Sequence, residues 1–228
     1  MTPQTLEALQ RARRDRQPAV VATWLDDGEQ VLVTPSNGAA PLAMTEAIDQ
    51  AIQDDRSQTV EVDGRRLFLH VFNTPLRLIV IGAVHIAEPL ARYAAIAGYD
   101  VTLIDPRRAF ADRERFAGVT IIDAWPDEAL TDLRPDHRTA VVTLTHDPKI
   151  DDPALHVALR APLLYLGSLG SKRTHAKRVE RLLEAGFSED EIARIHAPVG
   201  LDIGAKSPQE IALSIMAEIT AVRREASP

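Results

Sequence analysis

No cysteine occurs anywhere in this chain. That absence excludes disulfides, thiolate metal sites, a cysteine nucleophile and a persulfide carried on this polypeptide, and it fits a reducing compartment. Long apolar runs are missing as well. No stretch approaches the ~20 residues a membrane helix needs, and Met1 to Arg16 is polar and rich in arginine, without the apolar core of a signal peptide. The cytoplasm is the expected compartment. Positive charge is in deficit: 26 Lys and Arg against 33 Asp and Glu give a net charge of -7. Nucleic acid and an anionic membrane surface would call for the opposite sign, so neither is an expected partner. The 7 histidines show no metal-ligand spacing, and no metal site is expected.

What remains is an ordinary globular balance, 45% hydrophobic and 26% charged over 228 residues, enough for one large domain or two modest ones. Residues 1–74 read as a small α+β domain. A polar helix from Pro3 precedes an apolar strand at Ala19–Trp24, Asp26-Asp27-Gly28 turns the chain, a second helix lies near Met44–Asp54, and Asp63-Gly64 is a strong two-residue hairpin signal. From Leu76 the rhythm changes to strand–helix alternation, and residues 75–228 read as a Rossmann-like α/β domain. The expected strands are Leu78–Ile81, Val101–Ile104, Thr120–Ile122, Ala140–Leu144 and Leu163–Leu166. They are short β-branched runs without polar alternation, as strands covered on both faces require. Ser188-x-x-Glu191 and Ser207-Pro208-x-Glu210 are capping boxes. After the second, Ile211, Ile215, Ile219 and Val222 predict the buried stripe of the last helix.

Four motifs bear on chemistry. Leu78-Ile-Val-Ile-Gly82-Ala83-Val84-His85-Ile86-Ala87 stands where a dinucleotide fingerprint G-x-G-x-x-G would, with only its first glycine kept. Val84 puts a branched side chain toward the phosphate seat, and Glu88 sets a negative charge in the first helical turn, where it competes with a bound anion. A tight strand-to-helix turn kept for folding explains the same residues. Asp105 follows Gly82 by 23 positions at the end of a strand, the place for a carboxylate that binds a ribose hydroxyl; Arg107 and Arg108 beside it would instead receive a phosphate. The plainer reading is a polar strand end.

Tyr165-Leu-Gly167-Ser168-Leu-Gly170-Ser171-Lys172-Arg173 joins backbone amides, two hydroxyls and two cations at a helix N-terminus, which is what an anion site needs, with phosphate or a pterin as the expected contact. Arg173, Lys177 and Arg181 continue as a basic stripe, which a solvated helix face would equally show. Finally, Thr145-His146-Asp147 and His196-Ala-Pro-Val-Gly200-Leu-Asp202-Ile-Gly204 place histidines near carboxylates; acid–base chemistry and a hydrogen-bonding turn both fit. The second, with its paired glycines, suggests a shaped pocket wall.

Taken in order and spacing, Ile81-Gly-Ala-Val-His85, Asp105-Pro-Arg107 with Phe110 to Phe116 after it, Thr145-His-Asp147, the Tyr165–Arg173 loop, and His196 to Ala205 followed by Ser207 to Glu218 resemble the xanthine dehydrogenase accessory (XdhC/CoxI) family over Leu76 to Arg223. The resemblance implies a Rossmann-like domain in a chaperone that binds molybdenum cofactor (molybdopterin). It also implies support for sulfuration by a cysteine desulfurase, insertion of the cofactor into a molybdenum hydroxylase such as xanthine dehydrogenase or carbon monoxide dehydrogenase, and a homodimer. On that reading Gly82, His85, Asp105, Arg107, Gly167, Ser168, Gly170, Ser171, Lys172, Arg173 and Asp202 wall the cofactor site, and no residue of this chain is catalytic. Two other classes compete: an NAD(P)-dependent oxidoreductase on the same fold, and an adaptor whose nucleotide pocket is vestigial.

Overall fold

The computed structural model of the protein describes residues 2–34, 42–107 and 115–225; Arg108 and Phe110, singled out above, lie outside them. The described residues fall into two compact units that divide between Thr74 and Pro75.

In the first unit, Thr2 caps helix α1 (Pro3–Arg14) by accepting from the Thr5 amide at 3.2 Å, with Pro3 in the first turn where its missing N–H is no loss. Strands β1 (Ala19–Trp24), β2 (Gln30–Val33), β3 (Gln58–Val62) and β4 (Arg65–Phe72) form an antiparallel sheet in the order β2-β1-β4-β3. Asp63 and Gly64, at φ 52° and 75°, supply the left-handed pair that the β3–β4 hairpin demands. Period-2 alternation then sorts β1 between two covers. Val20 and Ala22 pack with Met44, Ile48 and Ala51 of α2 (Leu42–Asp54), while Ala19 and Val21 meet Leu9 and Ala12 of α1.

The second unit is a six-stranded parallel sheet of β5 (Leu76–Ile81), β6 (Tyr99–Ile104), β7 (Thr120–Ile122), β8 (Thr139–Thr143), β9 (Tyr165–Ser168) and β10 (Ile195–His196), ordered β10-β9-β8-β5-β6-β7. The chain builds outward from β5 to β7, then returns to the other side of β5 and builds outward again. This is the Rossmann order, and its reversal between β5 and β8 opens a crevice at the carboxyl ends of those strands. Both faces are covered, which is why the strands are apolar throughout. Leu78 and Val80 of β5 pack under α3 (Ala87–Ile96) and α8 (Pro208–Glu225). Ile79 and Ile81 pack on the other face, with α4 (Pro126–Leu133), α5 (Pro148–Leu159) and Leu182 of α6 (Lys172–Glu184). Each such fully buried side chain contributes about 1.5–3 kcal/mol.

Both capping boxes form. Ser188 and Glu191 close the start of α7 (Glu189–Ile192), a single turn, and Ser207 accepts from the Glu210 amide at 3.2 Å while Glu210 accepts from the Ser207 amide at 2.8 Å. The stripe of α8 is rotated slightly from the expected one. Ala212, Ile215, Met216 and Ile219 are fully covered, and Ile211 and Val222 lie at its margin. Strand β10 has no signature in the sequence, since two residues carry no period and it exists by pairing with β9. Among the described residues no helix is long and apolar enough to cross a membrane.

Candidate functional site at the carboxyl edge of the parallel sheet

The turn after β5 is built around Gly82, whose φ is 104° and where a Cβ would stand 2.4 Å from Cγ2 of Thr145 in the turn after β8. The two turns at the switch point therefore interlock, and only glycine fits. Hydrogen bonds from Gly82 N to Ile104 O and from Leu144 N to Ile81 O fix this edge on both sides. Ala87 is buried at the place of the third fingerprint glycine, and Val84 is half-buried, packed on the apolar cluster beneath α3 and α8. Glu88 is neutralised by ion pairs to Arg92 at 2.9 Å and Arg115 at 3.3 Å. His85 is exposed and opens onto a groove of about 690 Å³ shared with Tyr93 and Pro208; none of the Gly167–Arg173 residues lines that groove.

Asp105 is completely buried. One carboxylate oxygen accepts from the Ala83 amide at 2.8 Å and Nη2 of Arg107 at 2.8 Å, and the other from the Arg107 amide and Nε, each at 2.9 Å. Burial pushes this carboxyl up, but the bonds from Arg107 and the two amides outweigh it and hold the group below the usual carboxylate range. The same contacts raise Arg107. A carboxylate offers about four acceptor sites, and here four bonds use them. Asp105 thus meets Arg107 and the Gly82–Ala83 turn rather than open space.

The Gly167–Arg173 loop divides in the same way. Ser168 is buried with its hydroxyl 2.5 Å from that of Thr143 on the neighbouring strand. Gly167 is glycine for packing, because a Cβ would meet Val199 at 2.5 Å and the Tyr165 ring at 2.7 Å. Ser171 caps α6, accepting from the Thr174 amide at 3.2 Å. Lys172 and Arg173 are exposed in a first turn that carries no acidic residue.

Two further residues of this edge, Asp151 and Arg178, are charged yet buried, which no motif of the sequence indicates. Asp151 of α5, 2% exposed, accepts from Thr145 Oγ1 at 2.6 Å and from the His146 amide at 3.0 Å, which holds His146 at φ 62°. Burial nevertheless pushes its carboxyl up, against the bond from Thr145 and the charge of Arg178. Arg178 of α6 is also 2% exposed, and its own burial lowers it. Only helical spacing carries a signal: Arg178 precedes Leu182 by four positions and so shares the buried face of α6. Asp147, which looked like a partner for His146, instead caps α5 through the Lys149 amide.

The His196–Gly204 loop is pinned from α8. Glu218 accepts from the Tyr165 hydroxyl and, at 2.8 Å, from the Gly200 amide; His196 Nδ1 lies 3.5 Å from its other oxygen and stacks on the Tyr165 ring at 4.6 Å. Burial and the neighbouring carboxylate push the Tyr165 phenol far up, so it stays protonated and donates. Gly200 is at φ 93° against Ser214, and Asp202 is exposed beyond it. Glu218→Gln should cost about 1–3 kcal/mol in urea unfolding, because an amide in place of the carboxylate loses charge-assisted acceptance at Tyr165 and Gly200. A change below about 0.5 kcal/mol would show that this cluster does not hold the loop. Among the described residues no group of three or more His, Asp or Glu side chains is placed to hold a metal.

A sequence profile of the XdhC Rossmann domain matches residues 78–219. The chain belongs to the XdhC family. Relatives include the molybdenum cofactor insertion chaperone PaoD of Escherichia coli K12, 36% identical over 152 residues, 67% of this chain and 42% of that protein. A protein of Bacillus subtilis 168 named as a probable xanthine dehydrogenase subunit is 33% identical over 159 residues, 69% of this chain and 46% of that protein. The chain thus spans less than half the length of these curated relatives. The crystal structure of a xanthine dehydrogenase (BH1974) from Bacillus halodurans shares the fold, with TM-score 0.68 and 24% identity over 97% of this chain and 64% of that one. The XdhC profile begins within β5 and ends within α8, so it spans both turns of the crevice and the pinned loop.

Proposed function

We propose that this protein is a non-catalytic carrier of molybdenum cofactor that supports its maturation and its insertion into a molybdenum hydroxylase of the xanthine dehydrogenase or carbon monoxide dehydrogenase kind. The observation that carries the reading is the capped start of α6. There Lys172 and Arg173 stand exposed beside a glycine-rich loop at the carboxyl edge of a Rossmann sheet, in a chain whose relative is named a molybdenum cofactor insertion chaperone.

A pyranopterin ending in phosphate suits such an edge. The first amides of α6 have no intrahelical acceptor, the helix dipole favours negative charge, and each charge-assisted hydrogen bond contributes about 1.5–3 kcal/mol. In this assignment Lys172 and Arg173 bind the phosphate, the Gly82–Ala83 turn and Gly170 supply backbone walls, and Arg107 faces the cargo while Asp105, Ser168, Ser171 and Gly167 hold those groups in place. His85, which opens onto a groove that the Gly167–Arg173 loop does not line, and the exposed Asp202 belong to the assignment through the family resemblance alone. A carrier without cysteine leaves the sulfur to a separate cysteine desulfurase, and we assign it to the cytoplasm as a homodimer.

Protein purified from cells that make molybdopterin should carry the fluorescent oxidised pterin. In the Lys172→Ala/Arg173→Ala double variant, both changes being at exposed positions, affinity should fall about 10- to 100-fold, or roughly 1.4–2.8 kcal/mol. Unchanged pterin retention would refute the assignment. The Rossmann strand order is compatible with a second reading, an NAD(P)-dependent oxidoreductase; thermal protection by NAD(P)H but not by molybdopterin, together with detectable hydride transfer, would establish it.

A further inference from the structure

Arg173, Lys177 and Arg181 run along the outer side of α6 at intervals of four, and Arg178 stands inside them. Its Nη2 donates to Leu169 O at 2.9 Å and its Nη1 lies 3.3 Å from Nδ1 of His175, while Nε is buried with no partner. Asp151, the carboxylate whose charge reaches it most strongly, is committed to Thr145 and His146. A guanidinium removed from water without a carboxylate in hydrogen-bond contact is unfavourable, and the structure that keeps one has to complete its charge in another way.

The surroundings show how. Arg178 lines a recess of about 200 Å³ together with Arg173, Thr174, Lys177 and His146. At about 30 Å³ of liquid volume per water, that is room for several waters and so for a phosphoryl group. Arg181, also at the recess, is taken by Asp152 at 2.5 and 3.0 Å. Arg173, Lys177 and Arg178 therefore stand against one carboxylate, Asp151, in a protein of net charge -7. The recess also adjoins the first turn of a 13-residue helix, whose dipole adds to the positive potential.

We propose that this recess is a phosphoryl-binding site, taking the phosphate monoester or diphosphate of a larger ligand, with Arg178 at its floor and Arg173 and Lys177 at its rim. As to which ligand brings the phosphoryl group, the proposal rests on the cofactor-carrier reading, whose cargo ends in such a group. The recess itself does not depend on it.

The test is a titration of the intact protein with inorganic phosphate and with pyrophosphate in phosphate-free buffer, followed by 31P NMR. Saturable binding of at least one of them is expected, tighter for pyrophosphate if the natural group is a diphosphate. Lys177→Ala, at an exposed position, should weaken it by about tenfold, and Arg178→Gln by more. A thermal melt without phosphate checks that Arg178→Gln is folded, and Lys177→Ala decides the matter if it is not. Saturable binding lost in these variants supports the site. No saturable binding of either ion, or binding that survives both substitutions, overturns it. No molybdopterin enters the titration, so a protein that holds no pterin leaves a positive phosphate result standing, and a failed titration leaves a positive pterin assay standing.

Discussion

Gly82→Ala is expected to destabilise the parallel-sheet unit by about 2–5 kcal/mol, read as a fall in the urea midpoint at unchanged slope. Two independent effects add. A φ of 104° lies outside the regions open to a residue with a side chain, and the new Cβ would meet Thr145 Cγ2 at 2.4 Å, where real carbon atoms do not approach. Neither side can yield easily: Gly82 is tied to Ile104, and the Thr145 hydroxyl is held by Asp151. The two contributions can be separated. Thr145→Ser removes the obstructing methyl and keeps the hydroxyl, so the double variant should recover the steric share and leave the backbone share of about 1–2 kcal/mol. If Gly82→Ala alone shifts stability by less than about 0.5 kcal/mol, the two turns do not interlock.

Asp105→Asn should cost about 2–4 kcal/mol near neutral pH. The amide keeps one acceptor oxygen and puts an NH2 group where Arg107 or the backbone already donates, so donor faces donor at a fully buried point. Arg107 is partly exposed and can turn to water, which keeps the loss at this level. The pH dependence follows from the direction of the shift. Asp105 lies below the ordinary value in the folded protein, so its carboxylate contributes fully above the unfolded value of about 3.9 and loses that contribution as pH falls through the lower, folded one. The asparagine variant has nothing to titrate there. The stability gap between the two proteins should therefore be widest at about pH 7 and narrow by about pH 3. A gap that stays constant or widens in acid would mean that Asp105 is not held as an anion.

Both predictions concern positions that the sequence marked for a ligand, and both turn on partners that the sequence did not indicate. Gly82, Asp105 and Ser168 were each found by spacing: a glycine after an apolar strand, a carboxylate at the end of the next strand, a hydroxyl in a glycine-rich turn. Spacing gives a residue's place along its own element. Whether its polar atoms then face a ligand or a neighbour depends on the register between elements far apart in the chain. Ser168 meets Thr143 because β8 and β9 are paired Thr143 to Ser168. Asp105 meets Ala83 because β5 and β6 end level, Ile81 beside Ile104. Lys172 and Arg173, in the first turn of α6, stay exposed, as charged residues at the start of a surface helix do.

The missing cysteines settled by composition alone that no persulfide forms on this polypeptide. The apolar strands settled that the sheet is parallel and covered twice, and local chemistry settled the caps at Ser188 and Ser207 and the turn at Asp63-Gly64. These depend on interactions within a few residues, or on burial that any cover provides. The tertiary structure decided what is specific to this protein. It turned Asp105 onto Arg107, made Glu218 the clasp of the His196–Gly204 loop, and set Arg178 and Asp151 behind the start of α6. Each of these joins charges or dipoles from separate elements, and such pairings exist only once the hydrophobic faces have brought those elements together.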